Sequence, residues 1–228
     1  IRDSLGLPLC YLTCGLFSGQ VGIRSVQSEF EGNVYTPDNR DQLFVTYGLF
    51  RRVDYGVQVG IAGDFLRENW FATTELTQIR GDIAWVYPGG NALGFRFAAG
   101  TSTGTTTGII DGQEIEVLPA EVINNYRFYY RAVSNNCGFC DTYLGWTDDN
   151  HAVLGLDYDM PFWNRFGLQT GFTYYLPDTR DDVVQATDEA WNIYVGFSFR
   201  PQGAIWYGNY DRPLFNVADN GTFQWGRF

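Results

Sequence analysis

Apolar and polar residues alternate along most of this chain. At 42–53, Leu43, Val45, Tyr47 and Leu49 share one parity, while Phe44, Thr46, Gly48 and Phe50 share the other. Successive side chains of an extended strand point to opposite faces, so a period of two predicts strand. At 57–67, Val57, Val59, Ile61 and Phe65 oppose Gln58, Gly60, Ala62 and Asp64. At 73–87, Ile79, Ile83, Trp85 and Tyr87 oppose Gln78, Arg80, Asp82 and Ala84. Further on, Leu93, Phe95 and Phe97 oppose Gly94 and Arg96, and Tyr126, Phe128 and Tyr130 oppose Arg127 and Arg131. Leu154, Leu156, Tyr158 and Met160 oppose Gly155, Asp157 and Asp159, and segments at 166–175 and 191–200 repeat the device, the last ending in Arg200. With strands near 15–30 and 142–147, the pattern predicts an all-β, antiparallel chain of about ten strands, within about eight to twelve.

The connections differ in kind. Those at 54–56, 88–91 and 162–165 are short, and Pro88, Gly89, Gly90 and Asn91 form a strong turn signal. Those at 31–41, 101–125 and 177–188 are longer and more polar. Short turns alternating with long loops fit a transmembrane β-barrel, with short periplasmic turns and longer outer loops.

The polar parity decides between a barrel in lipid and one in water. A soluble barrel turns its apolar face inward and a densely charged face to water. Here the polar rows carry Gly, Ala and Gln with sparse charges of both signs. A charge in mid-strand is too costly against lipid or in an apolar core, so Asp64, Arg80, Asp82, Arg96, Arg127, Arg131, Asp157, Asp159 and Arg200 are expected to line a shared polar lumen. Trp70, Phe71, Trp85, Tyr87, Tyr174, Tyr175 and Trp191 sit near predicted strand ends, where interfacial aromatic girdles belong. The expected bore of so small a barrel is barely wider than the side chains that fill it, which leaves both a plugged interior and a small pore open.

Composition narrows the partners. The chain has 228 residues, 26 acidic against 15 basic, and a net charge of -11. All the basic residues are Arg. Such a balance lacks the basic footprint that nucleic acid requires. No apolar run is long enough for a transmembrane helix.

The candidate chemistry is thin. His151, the single histidine, follows Asp148, Asp149 and Asn150, but no Ser motif accompanies it, so no hydrolytic triad and no enzyme is predicted. Asp38, Asn39 and Asp41 form one oxygen-rich cluster and Asp178, Asp181 and Asp182 another; both are candidate calcium sites by ligand type, without the EF-hand spacing. Cys10 with Cys14 and Cys137 with Cys140 have the spacing of local disulfide staples in an oxidising compartment. Their separation and the lack of nearby His argue against zinc.

Two stretches carry a resemblance: QLFVTYGLFRR at 42–52 with QIRGD at 78–82, and AWN at 190–192 with RPLFNVADNG at 212–221. Together they resemble an uncharacterised family of exported planctomycete proteins. The resemblance runs over most of the chain and implies an envelope barrel without assigning an activity. The closing Phe223, Trp225 and Phe228 resemble the assembly signal of outer-membrane barrels, with Gly226 at the alternating position. The expectation is a barrel domain at 1–201 and a tail or final strand at 202–228 packed on it. The predicted role is a structural barrel in the bacterial outer membrane, bathed in lipid and joined to envelope partners or to copies of itself; the alternative is a small passive pore for polar solutes or ions.

Overall fold

The computed structural model describes residues 2–8, 17–29, 39–70, 73–110, 113–134, 138–163, 166–176, 190–199 and 213–227. These residues form fourteen strands: β1 (Arg2–Pro8), β2 (Ser18–Glu29), β3 (Asn39–Arg51), β4 (Gly56–Asn69), β5 (Thr73–Val86), β6 (Ala92–Gly100), β7 (Gly104–Ile110), β8 (Gln113–Val122), β9 (Asn125–Val133), β10 (Phe139–Thr147), β11 (Ala152–Trp163), β12 (Phe166–Leu176), β13 (Ala190–Phe199) and β14 (Trp225–Arg227). No helix occurs among the described residues, and every pairing is antiparallel.

The strands belong to one curled sheet ordered β1-β2-β3-β4-β5-β6-β9-β10-β11-β12-β13. Each predicted strand has its counterpart in β2–β6 or β9–β13. Neighbours in the chain are neighbours in the sheet apart from one excursion, because β6 pairs directly with β9. The 101–125 stretch, expected as a loop, is instead the β7–β8 hairpin, which hangs from β5 through Thr73 and Thr107 and from β14 through Val122 and Trp225.

The sheet is open among the described residues, with β1 and β13 at its ends, so the expected closed barrel of even strand number is corrected to a curled half-barrel. Direction alternates along the path, which makes β1 and β13 run the same way. A direct pair between them would be parallel, and that is not the register antiparallel hairpins produce.

The two ends of the sheet differ as the connection lengths require. The β3–β4, β5–β6 and β11–β12 turns crowd one end, and the links after β2, β6 and β12 leave from the other. Gly89 (φ 95°) and Gly90 (φ 87°) hold the β5–β6 turn in the left-handed region, where a Cβ would be strained. That turn is tied by Tyr87 N–H to Asn91 O at 2.8 Å and Gly90 N–H to Tyr87 O at 2.9 Å.

Burial follows the alternation with its usual sign reversed. Phe44 and Phe50 are buried, and so are Gln42, Thr46, Asp64, Gln78, Arg80 and Asp82 on the same face. On the opposite face Ile61, Ile79, Ile83, Trp85, Leu93, Leu144 and Phe197 are exposed, Phe197 at 78 % and Val195 at 69 %. Outward glycines are roofed by aromatic rings from the next strand: Tyr47 covers Gly63 and Phe97 covers Gly81. Charges on the outer face of β2–β6 and β9–β13 are Glu29, Asp41, Arg51, Arg67 and Glu75, each within three residues of a strand end. The band between them is uncharged.

Candidate functional site

Among the described residues, charged groups converge on the inner face. Alternation alone brings them there: each comes from a parity that puts it inside, and strand pairing sets which meet. On β3, β4 and β5 the register aligns Thr46 with Asp64 and Asp64 with Gln78. Arg80 then grips Asp64 with two nitrogens, Nε to Oδ2 at 2.6 Å and Nη2 to Oδ1 at 2.8 Å. Thr46 Oγ1 donates to Asp64 Oδ1 at 2.6 Å, and Gln78 Nε2 donates to Oδ2 at 2.8 Å. Asp64 is 1 % exposed, so a buried carboxylate is met by a forked cation and two further donors.

A second cluster crosses β5, β6, β9 and β10. Arg96 bridges two carboxylates, donating from Nε to Asp82 at 2.6 Å and from Nη2 to Asp141 at 2.9 Å. Arg131 donates to both oxygens of Asp141 at 2.6 Å. The Arg96 guanidinium lies 3.8 Å over the Tyr129 ring, whose hydroxyl donates to Asp82 at 3.1 Å. A third, smaller cluster sets Glu68 against Arg40 at 2.8 Å and Gln42 at 2.6 Å.

Residues 213–227 run through this interior. They cross from the short-turn end, where Arg52 donates to Pro213 O at 2.8 Å, to β8, where β14 pairs. The wall holds the segment chiefly by its main chain. Gln20 accepts from the N–H groups of Leu214 and Phe215 at 3.0 Å and donates back to Phe215 O at 3.1 Å. Arg80 donates to Asn216 O at 2.8 Å, and Ala218 N–H donates to Thr46 at 3.0 Å. Arg127 donates to Gly221 O at 2.8 Å, and Gln78 to Thr222 O at 3.2 Å. Apolar side chains of the segment are buried with it: Val217, Ala218 and Phe223 join Phe44, Leu66 and Leu76, while Leu214 and Phe215 join Phe50 and Ala62. Gly60 makes the room, since a Cβ there would stand 2.6 Å from Leu214 and 2.8 Å from Phe215.

The turn at 219–222 joins the two sides of the open sheet. Asp219 Oδ1 accepts from the N–H groups of Gly221 and Thr222 at 3.0 Å, and its Oδ2 accepts from Arg24 of β2 at 2.8 Å. Asn220 exchanges hydrogen bonds with Gln42 of β3. Two residues on, Gly221 O meets Arg127 of β9 and the Tyr175 hydroxyl of β12. One turn thus spans from β2 to β12 across the interior.

The predicted lumen row is brought to the inner face at Asp64, Arg80, Asp82, Arg96, Arg127, Arg131, Asp157 and Asp159; Arg200 lies outside the described residues. Asp157 receives the Tyr194 hydroxyl at 3.2 Å, and Asp159 receives Gln169 at 2.8 Å. Of the candidate calcium residues, Asn39 and Asp41 lie at the start of β3, while Asp38, Asp178, Asp181 and Asp182 fall outside the described residues. No group of three metal-ligating residues occurs among the described ones. His151 stands in the β10–β11 turn, its N–H bonded to Thr147 Oγ1 at 3.1 Å.

Cys140 corrects an expectation. It carries a free thiol, and the predicted Cys137–Cys140 staple is not formed. The residue stands second in β10, its backbone paired to Ala132 and to Tyr158. Cys10, Cys14 and Cys137 lie outside the described residues.

The sequence reading missed Arg24, Glu68 and Asp141. Asp141 had a signal, because it shares its parity with Tyr143 and Gly145, opposite Thr142, Leu144 and Trp146; starting that strand at residue 142 discarded it. The tail was expected at 202–228, but the wall residues it meets had no signal, since its contacts are to groups far away in the chain.

No curated protein matches the chain, and no solved structure does. A family model matches residues 4–225, nearly the whole length, in agreement with the resemblance to an uncharacterised family read from 42–52 and 212–221. The chain belongs to that family, a family of unknown function designated DUF6666.

Proposed function

We propose that this protein is a structural barrel of a bacterial outer membrane whose interior is plugged by its own C-terminal segment. The observation that carries the reading is the inverted sheet: ion pairs buried inside, and an uncharged apolar band outside. In water this arrangement would be wrong on both faces. A large apolar side chain gains about 1.5–3 kcal/mol on full removal from water, and the outer face holds such side chains on every strand from β2 to β6 and β9 to β13. In hydrocarbon both faces become favourable, because lipid covers the band and the inward charged side chains find partners within the protein. Strands of nine to fourteen residues on β2–β6 and β9–β13 are long enough to cross.

Aromatic pairs at the band margins support the same reading. Tyr55 meets Trp85 at 5.7 Å beside the short turns, and Tyr126 stacks on Trp146 at 5.6 Å toward the other end. Amphipathic rings favour the headgroup level. The anchor reading is supported by the interior, where among the described residues the ion pairs hold strands and tail together. The short-turn end faces the periplasm in this reading, and the long connections face outward to lipid headgroups, envelope partners or neighbouring copies.

The test is insertion. Purified protein added to lipid vesicles should enter the membrane fraction and resist extraction by carbonate. Replacing Ile79, in the middle of β5, by Arg should destabilise the inserted form by about 2–4 kcal/mol. A wild-type protein that stays monodisperse in buffer without detergent, and tolerates Ile79→Arg, would sink the proposal.

A further inference from the structure

The residues that grip the tail have a common chemistry. Arg24, Arg52, Arg80 and Arg127 all donate to it, and so do Gln20 and Gln78. What they hold is a row of acceptors: four peptide carbonyls for three of the arginines and Gln78, a fifth for Gln20, and the Asp219 carboxylate for Arg24. We propose that the path now filled by residues 213–224 is an anion pathway, which the tail occupies by presenting acceptors to a wall of donors. The inference rests on the membrane-barrel reading and adds an activity to it.

Three observations argue that this wall is built to meet something other than a permanent dry filling. First, three wall carboxylates are matched by arginine without the tail, Asp64 by Arg80, Asp82 by Arg96 and Asp141 by Arg96 and Arg131, while Asp157 and Asp159 accept from Tyr194 and Gln169 of the wall itself. Removing the tail therefore leaves no bare acid among these three. It does leave bare donors, since Arg24 gives up the Asp219 carboxylate and Arg127 gives up Gly221 O. The other hydrogen-bond and ring partners of Arg127 are a phenol hydroxyl at 2.9 Å and a ring face at 4.9 Å, and the Asp157 carboxylate is near enough to act on it electrostatically. Second, Arg127 Nε and Gln78 Oε1 are buried beside the tail without a hydrogen-bond partner among the described residues. The tail fills the space without satisfying it. Third, buried ion pairs add little to a permanently dry core, where apolar residues of like volume serve as well or better. A wall that water or ions visit requires them.

The consequence runs against the chain's net charge of -11. The tail itself carries Asp219, and its departure removes that negative charge from the bore. Arg24 and Arg127, freed of their partners in the tail, would favour anions over cations along this path. Small inorganic anions such as chloride are the class this lumen would pass.

The experiment uses the full chain in planar bilayers across a KCl gradient. Wild type, Asp219→Ala and Gly60→Val are compared, the two variants loosening the tail by different means. One removes the turn that bonds Arg24, and the other crowds Leu214 and Phe215. Limited proteolysis of the inserted protein reports whether the tail has become accessible. The expected result is a silent wild type, with channel steps in whichever variant frees the tail. Their reversal potential should be displaced toward the chloride equilibrium value. Adding Arg127→Gln should shrink that displacement. A reversal potential on the potassium side overturns the proposal, and so does continued silence from an inserted variant whose tail is cleaved. Failure to enter the bilayer at all would instead count against the membrane reading, so the two failures are distinguishable.

Discussion

Two regions of the interior solve the same problem differently. Around Asp82, Arg96, Asp141 and Arg131 the wall satisfies itself: two acids, two arginines and Tyr129 close a network across four strands. Around Gln20, Thr46, Arg80 and Gln78 the wall is met by the tail, whose N–H and C=O groups bond to each of these four side chains. The difference teaches where the fold depends on a distant part of the chain. The first region holds β6 to β9, where the sheet skips the β7–β8 hairpin. The second docks residues 213–227 and, through the turn at 219–222, ties β2 to β12.

The comparison breaks hardest at Asp141. Asp141→Ala leaves Arg96 and Arg131 buried without their shared carboxylate, and breaking such a pair costs about 3–5 kcal/mol. Denaturant unfolding of the inserted protein should show a loss of that order, with tail protection from protease reduced only when the whole sheet unfolds. A smaller, opposite pattern is expected from Gly60→Val. Overpacking costs about 1–3 kcal/mol, and here it falls on Leu214 and Phe215. Protease should then cut within 213–227 before the sheet itself opens. If both variants lose tail protection together, the two regions are one cooperative unit and the distinction fails. The smallest effect sharpens the contrast from outside. Arg67 and Glu75 form an exposed pair at 3.6 Å on the outer rim, and removing it through Arg67→Ala should cost about 0–1 kcal/mol and leave both interior regions intact.

Much of the wall was legible in the amino-acid order. The parity that places Arg80 and Asp82 inside and Ile79, Ile83 and Trp85 outside is a local property, readable from β5 alone. Turn chemistry at Gly89 and Gly90 was equally local. Where the local signal weakened, reading failed. β8 carries Glu114, Ile115, Glu116 and Val117 in alternation, but Pro119 interrupts it and the Thr-rich run before it looks like loop. β1 is a short strand whose role depends on pairing with β2. The cysteine spacing suggested a staple at 137–140, yet spacing alone does not bring two thiols into bonding geometry, and Cys140 keeps a free thiol.

The candidate site divides along the same line. Asp64, Arg80 and Asp82 are buried on one face of β4 and β5, because parity alone decides that. Which acid each arginine meets depends on register between strands, and Asp141 entered the network only through its pairing opposite Arg131. The sequence by itself determined that one face of this sheet would be apolar and the other polar, since a period of two needs no information beyond neighbouring residues. Only the tertiary structure decided that the sheet stays open and that its interior is occupied by the chain's own C-terminal segment. Those facts rest on contacts between residues nearly two hundred positions apart, such as Gln20 with Phe215, and no local pattern encodes a partner at that distance.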